Sequence, residues 1–154
     1  MPQFKVWKPE TTSAAKSPGQ ILWNKVLGEG FALGEPMNTA ESEGFNIDVL
    51  RNFEAFVPGV TADAPTALGI SERTLTRRRG EGRLTAFESD RLYRLISLYA
   101  LAADVLGGLD AAIEWMRNPA LALGNETPLR HARTEGGAKQ VATLLARINH
   151  GIFT

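Results

Sequence analysis

The sequence predicts an all-α protein in which an N-terminal helix-turn-helix unit is joined by one long helix to a small C-terminal helical unit. Three observations lead there. No segment alternates apolar and polar residues with period two for long enough to form a strand. From Met37 onward, apolar residues recur at intervals of three and four. Ser, Thr and Asp before these runs, with Gly or Pro after them, have the placement of helix caps.

Taken in order, residues 1–36 read as a flexible or loosely structured arm, roughly the first 17 mixing Pro, Lys, Thr, Ser and Ala without periodicity. Within it, Ser17-Pro18 has the form of an N-cap followed by an N1 proline, so "GQILWNKVLG" is readable as one short helix ended by Gly28. "GEGFALGEP" reads as loop. "NTAESEG" predicts a short helix ended by Gly44, and "NIDVLRNFEAFV" a longer one with Ile47, Leu50, Phe53 and Val57 inward, broken at Pro58-Gly59. The helix-turn-helix unit is expected over residues 37–96 and the C-terminal unit over 97–154.

The chain of 154 residues carries 17 Lys plus Arg against 17 Asp plus Glu, a formal charge of zero, yet four arginines fall between Arg73 and Arg79. "VTADAPTALGISERTLTRRRGEGRL" lays out a short helix, a turn at Gly69 and a second helix capped by Ser71, with Leu68, Ile70 and Leu75 locking the pair. Ser71, Arg73, Thr74, Thr76 and Arg77 then belong to a recognition helix facing base edges of operator DNA, and Arg79 and Arg83 to phosphate contacts. A guanidinium fork matches the two major-groove acceptors of guanine. Two residues depart from the usual pattern: Pro65 stands where a small residue is expected, and Arg78 where an apolar one is common. The competing interpretation makes the cluster a solvated face paired with Glu72, Glu81 and Glu88.

Thr85 and Glu88 form a capping box that opens a helix of about 21 residues, about 32 Å long at 1.5 Å per residue, stopped by Gly107-Gly108. Its second half, "LYALAADVL", is apolar on nearly every side and so demands cover all round. The C-terminal segment supplies one face; a second copy of the chain is expected on the other, through Leu98, Leu101 and Val105. Beyond it, "LDAAIEWMRNP" predicts a helix capped by Asp110 and ended before Pro119, "ALALGNE" a loop, Thr127-Pro128 the start of a short helix, and Thr134 the cap of a last helix ending at Gly151. Ala138, Val141, Ala142, Leu145 and Ile148 form its expected inner face, with Trp115, Leu121, Leu123 and Leu129 as packing partners.

Catalytic chemistry finds little support. The chain has no cysteine, hence no disulfide, thiolate ligand or thiol nucleophile, which suits a cytoplasmic location. His131 and His150, the two histidines, lack a metal-ligand spacing. "GEGFALG" lacks the spacing of a dinucleotide or phosphate loop. Gly136-Gly137 at a helix start suits either an anion or close packing. No enzyme activity, metal or cofactor is expected, and no apolar run is long enough to span a bilayer.

"GISERTLTRRRGEGRLTAFESDRLYRLISLYALAADVLGG", followed by "AIEWMRNPALALGNETPLRHARTEGGAKQVATLLARINHGIF", resembles the Xre/MbcA/ParS family of bacterial antitoxins across residues 37–154. The resemblance implies a partner protein, a RES-domain toxin that consumes NAD or modifies targets with it, and repression of the chain's own operon. Toxin contact is then expected at the C-terminal end, where Arg147, Asn149, His150, Gly151, Ile152 and Phe153 combine a cation with an aromatic plug. Asn118 and Arg130, flanking the 118–127 loop, are the second candidates. A stand-alone helix-turn-helix regulator whose C-terminal half only dimerises or senses a ligand is the alternative, and a small helical enzyme a third possibility.

Overall fold

A computed structural model describes residues 17–28 and 44–151. Helices α1 (Pro18–Leu27), α2 (Asp48–Phe56), α3 (Ala64–Ala67), α4 (Glu72–Glu81), α5 (Ala86–Leu106) and α6 (Leu109–Arg117) are followed by a 3-10 turn at Leu121–Leu123, then α7 (Pro128–His131) and α8 (Glu135–Asn149). Among the described residues there is no strand, only isolated bridges at Asn46–Arg83 and Ala120–Glu126. The helix expected over "NTAESEG" falls almost wholly outside the described residues, as do Ile152 and Phe153.

The long helix α5 is the axis of the molecule, and α1, α6 and α8 pack around it. Its start is the expected capping box: Thr85 Oγ1 accepts from Glu88 N at 3.1 Å and Glu88 Oε1 accepts from Thr85 N at 2.9 Å. In its apolar second half Leu98, Tyr99, Ala100, Ala102 and Ala103 are buried, whereas Leu101, Val105 and Leu106 are only half-buried. Leu98 is 1% exposed within a single chain, so it belongs to the chain's own core and not to a dimer interface. Helix α1 packs along the face of α5 that carries Tyr93, Ala100 and Asp104. Leu101 and Val105 remain half-buried.

That cover corrects the boundary of the arm, since residues 18–27 are an integral core helix. Ser17 Oγ accepts from Gln20 N at 3.1 Å, as the cap requires. Asp104 on α5 then captures the helix start, its Oδ1 accepting from Gly19 N at 2.8 Å and its Oδ2 from the Ser17 hydroxyl at 3.2 Å. A carboxylate at a helix N-terminus answers unpaired N–H groups and the positive end of the dipole together. Gly19 permits the approach: a Cβ there would stand 2.3 Å from the Ala100 carbonyl oxygen. Further along, Trp23 is fully buried and meets Tyr93 edge-on at 5.2 Å.

In the C-terminal part, Thr127 and Thr134 cap α7 and α8 as read from the sequence. Ala138, Val141 and Leu145 are fully buried, with Ala142 and Ile148 half-buried beside them. Two expectations need correction. Asp110 is not the cap of α6; Gly108 precedes the helix without a side-chain bond, and Asp110 sits in the first turn, where its charge still complements the dipole. Leu121 is not a packing partner but stands 84% exposed, because the turn that buries Leu123 points Leu121 the other way. Among the described residues, no single helix is long and apolar enough to cross a membrane.

Candidate functional site

The helix-turn-helix is formed by α3, a turn through Gly69 in the left-handed region (φ 64°), and α4. Pro65 is accommodated as the second residue of α3, where a missing N–H leaves no intrahelical bond unmade. Leu68, Ile70 and Leu75 are buried, and the Arg91 side chain of α5 braces the turn by donating to the Leu68 carbonyl at 3.0 Å. Ser71 caps α4, its Oγ accepting from Thr74 N at 3.1 Å and donating to Thr74 Oγ1. Both hydroxyls therefore serve the helix start.

The arginines divide into two groups. Arg73, Thr76, Arg77 and Gly80 form one exposed stripe along α4. Among the described residues Arg73 makes no ion pair, and Arg77 makes only a long one, 3.8 Å to Glu81 between exposed side chains. Arg78 turns inward: its Nε donates to Glu88 at 2.7 Å and its Nη1 to Glu81 at 3.1 Å. An ion pair thus occupies the place of the usual apolar contact and ties α4 to the capping box of α5. Burial alone would push the Glu88 carboxyl up, but hydrogen bonds from Arg78 and Thr85 outweigh it and hold the carboxyl below its ordinary value. The Glu88 hydrogen bond raises Arg78 in turn. Arg79 leans towards Glu54 at 3.7 Å, and Arg83 donates to the Gly44 carbonyl at 2.8 Å, so both are partly committed within the chain.

At the other end of the molecule, Arg147, Asn149, His150 and Gly151 are all exposed at the close of α8. Asn118 and Arg130 are exposed as well, although the Asn118 amide is engaged in donating to the Glu114 carbonyl at 2.8 Å. Among the described residues neither Arg130 nor Arg147 forms an ion pair. The neighbouring Arg117 does: it donates to Asp63 at 3.0 Å and to the Pro58 carbonyl at 2.7 Å, clasping α6 to the segment that leads into α3. No group of three or more His, Asp or Glu side chains that could hold a metal ion is present among the described residues.

Residues 61–97 match the family model of the antitoxin Xre-like helix-turn-helix domain. Residues 101–151 match that of the antitoxin Xre/MbcA/ParS C-terminal toxin-binding domain, so the two matches meet inside α5. A relative from Yersinia enterocolitica called antitoxin Xre is 34% identical over 145 residues, covering 93% of this chain and 96% of the relative. The chain belongs to the Xre/MbcA/ParS antitoxin family. A Photorhabdus laumondii antitoxin Xre is 35% identical over 148 residues, covering 93% of this chain and 97% of its own length. A Pseudomonas putida antitoxin Xre is 35% identical over 83 residues, covering 53% and 52%.

As an Xre-family antitoxin, the protein carries a DNA-binding helix-turn-helix and a toxin-binding domain on one chain. Sequence reasoning named Glu81 and Glu88 as partners of the cluster only in its competing interpretation, without singling out Arg78, and it missed the Asp104 seat of α1, the Arg117 clasp and the exposure of Leu121. Arg78 carried a signal, being a cation at a normally apolar position beside several glutamates. Leu121 carried none, because an apolar residue in a loop reads as core until its backbone is known.

Proposed function

We propose that this antitoxin neutralises a RES-domain, NAD-using toxin by filling its active-site cleft, and that as a cytoplasmic homodimer it represses its own operon. The observation carrying the proposal is the presence, in order on one chain, of a helix-turn-helix with an exposed arginine stripe and a toxin-binding domain in which Arg130 and Arg147 are exposed without ion pairs among the described residues. A dinucleotide cleft must admit two phosphates, and a guanidinium such as that of Arg147 meets the same need for positive charge. Asn149, His150, Ile152 and Phe153 would accompany it. On the operator side, Arg73 and Arg77 supply base-reading forks, and Thr76, whose hydroxyl donates to the Glu72 carbonyl at 3.0 Å, presents its methyl for apolar contact with thymine. Half-buried Leu101 and Val105 are the remaining candidates for a contact between copies.

The test is to co-express the chain with a RES-domain product of the adjacent reading frame, purify the complex and follow NAD turnover. Co-purification with turnover suppressed at stoichiometric antitoxin is the expected result. A toxin that neither co-purifies nor loses activity contradicts the proposal.

A further inference from the structure

We infer that Leu121 is an anchor of the toxin interface, an apolar knob held out by a rigid loop for insertion into an apolar pocket on the protein toxin. The inference rests on the family's assignment of toxin binding to residues 101–151 and adds where in that domain the contact is made. At 84% exposure Leu121 stands further out than Phe87 and Ile21, the other exposed large apolar residues among the described residues. The Phe87 ring already has the Arg91 guanidinium over it at 4.3 Å.

What sets Leu121 apart is how firmly its backbone is fixed. Ala120 N donates to the Glu126 carbonyl at 3.1 Å, while the Ala120 carbonyl accepts from Leu123 N at 3.0 Å and Asn125 N at 3.1 Å. The Leu121 carbonyl accepts from Gly124 N at 3.1 Å. Gly124 and Asn125 both turn through the left-handed region, with φ 67° and 64°. Leu123 is 8% exposed and plugs the loop into the core, and Glu126 pairs with His131 at 3.4 Å on the following helix. A loop so closed cannot fold its tip inward. Leu121 therefore reaches a partner without a loop-ordering cost, which is how a pre-organised anchor gains affinity.

A toxin is the occupant the surroundings favour. Pro119 and Ala122 are exposed in the same loop, and Arg130 and Arg133, which follow it closely in the chain, are exposed without ion pairs among the described residues. The pocket that fits is apolar, with carboxylates at its rim.

The full-length variants Leu121→Ala and Leu121→Asp should keep the wild-type unfolding midpoint and operator affinity, since the side chain touches little of its own fold. Titrated calorimetrically into the purified product of the adjacent reading frame, Leu121→Ala should bind about 30-fold or more weakly, the range of an interface hot spot. Leu121→Asp should show no heat of binding. Wild-type affinity for the toxin in both variants overturns the anchor while leaving the family's toxin binding intact, whereas a wild-type chain that binds no toxin removes that foundation first. A Leu121→Asp chain that loses self-association yet binds toxin normally makes a second copy the occupant, and overturns the inference too.

Discussion

Arg73 and Arg78 stand on the same helix and do opposite work. Arg73 is exposed beside Arg77, so replacing either by alanine should weaken operator binding by about 1 to 3 kcal/mol and relax discrimination at one base pair, as fluorescence anisotropy with point-substituted operators would read. Arg83→Ala, expected from sequence to act through phosphates, should act in part through the fold, because its guanidinium holds the Gly44 carbonyl. Arg78 instead seats α4 on α5 through Glu88. The folded Glu88 carboxyl lies below its ordinary value of 4.5, so its contribution is present above that pH and is lost as pH falls through the depressed folded value. Glu88→Gln should therefore lower the unfolding midpoint at neutral pH, and the gap to wild type should narrow steadily below pH 4.5; a pH-independent gap would remove the ion pair from the account. The concentration of arginine was legible in the sequence. Its division was not, because which guanidinium meets Glu88 depends on the angle at which α5 leaves the turn after Gly82.

At the scale of elements, α1 shows how a short helix escapes a sequence-based division of the chain. Its cap, N1 proline and terminal glycine could all be read, but its partners Asp104 and Tyr93 lie some 70 or more residues away and no local pattern points to them. Trp23→Ala should destabilise the protein by about 3 to 5 kcal/mol in urea titrations, as for a large aromatic lost from a core. A loss near zero would return α1 to the status of an arm. The same helix changes the meaning of α5. Its all-round apolarity asked for all-round cover, yet within one chain Leu101, Val105 and Leu106 stay half-buried, and composition does not say whether cover comes from the same chain or another. Leu98→Asp should unfold the protein, whereas Leu101→Glu, at a half-buried position, should leave a folded chain of monomeric mass in sedimentation if the proposed dimer forms there. A folded Leu101→Glu chain of unchanged dimer mass would place that contact elsewhere.

For the molecule as a whole, two binding modules share one hydrophobic core, with α5 running through both and Arg117 clasping α6 to the entrance of the helix-turn-helix. Family membership was legible because the caps, the turn glycine and the "WMRNPALALGNETPL" and "GAKQVATLLARINHGI" stretches are local features of the sequence. The interface geometry was less so, since exposure is a property of the finished packing. The modules should nevertheless be separable at their surfaces, because Arg73 and Arg77 lie on α4 and the proposed toxin contacts on the loop after α6 and the end of α8. The most direct measurement is cellular NAD during induction of the proposed RES-domain toxin, with wild-type antitoxin, the Arg73→Ala/Arg77→Ala double variant, or a chain lacking residues 150–154 supplied from a fixed promoter. NAD should be preserved by wild type and by the double variant and should collapse with the truncated chain; NAD preserved equally by all three would contradict neutralisation through the C-terminal end.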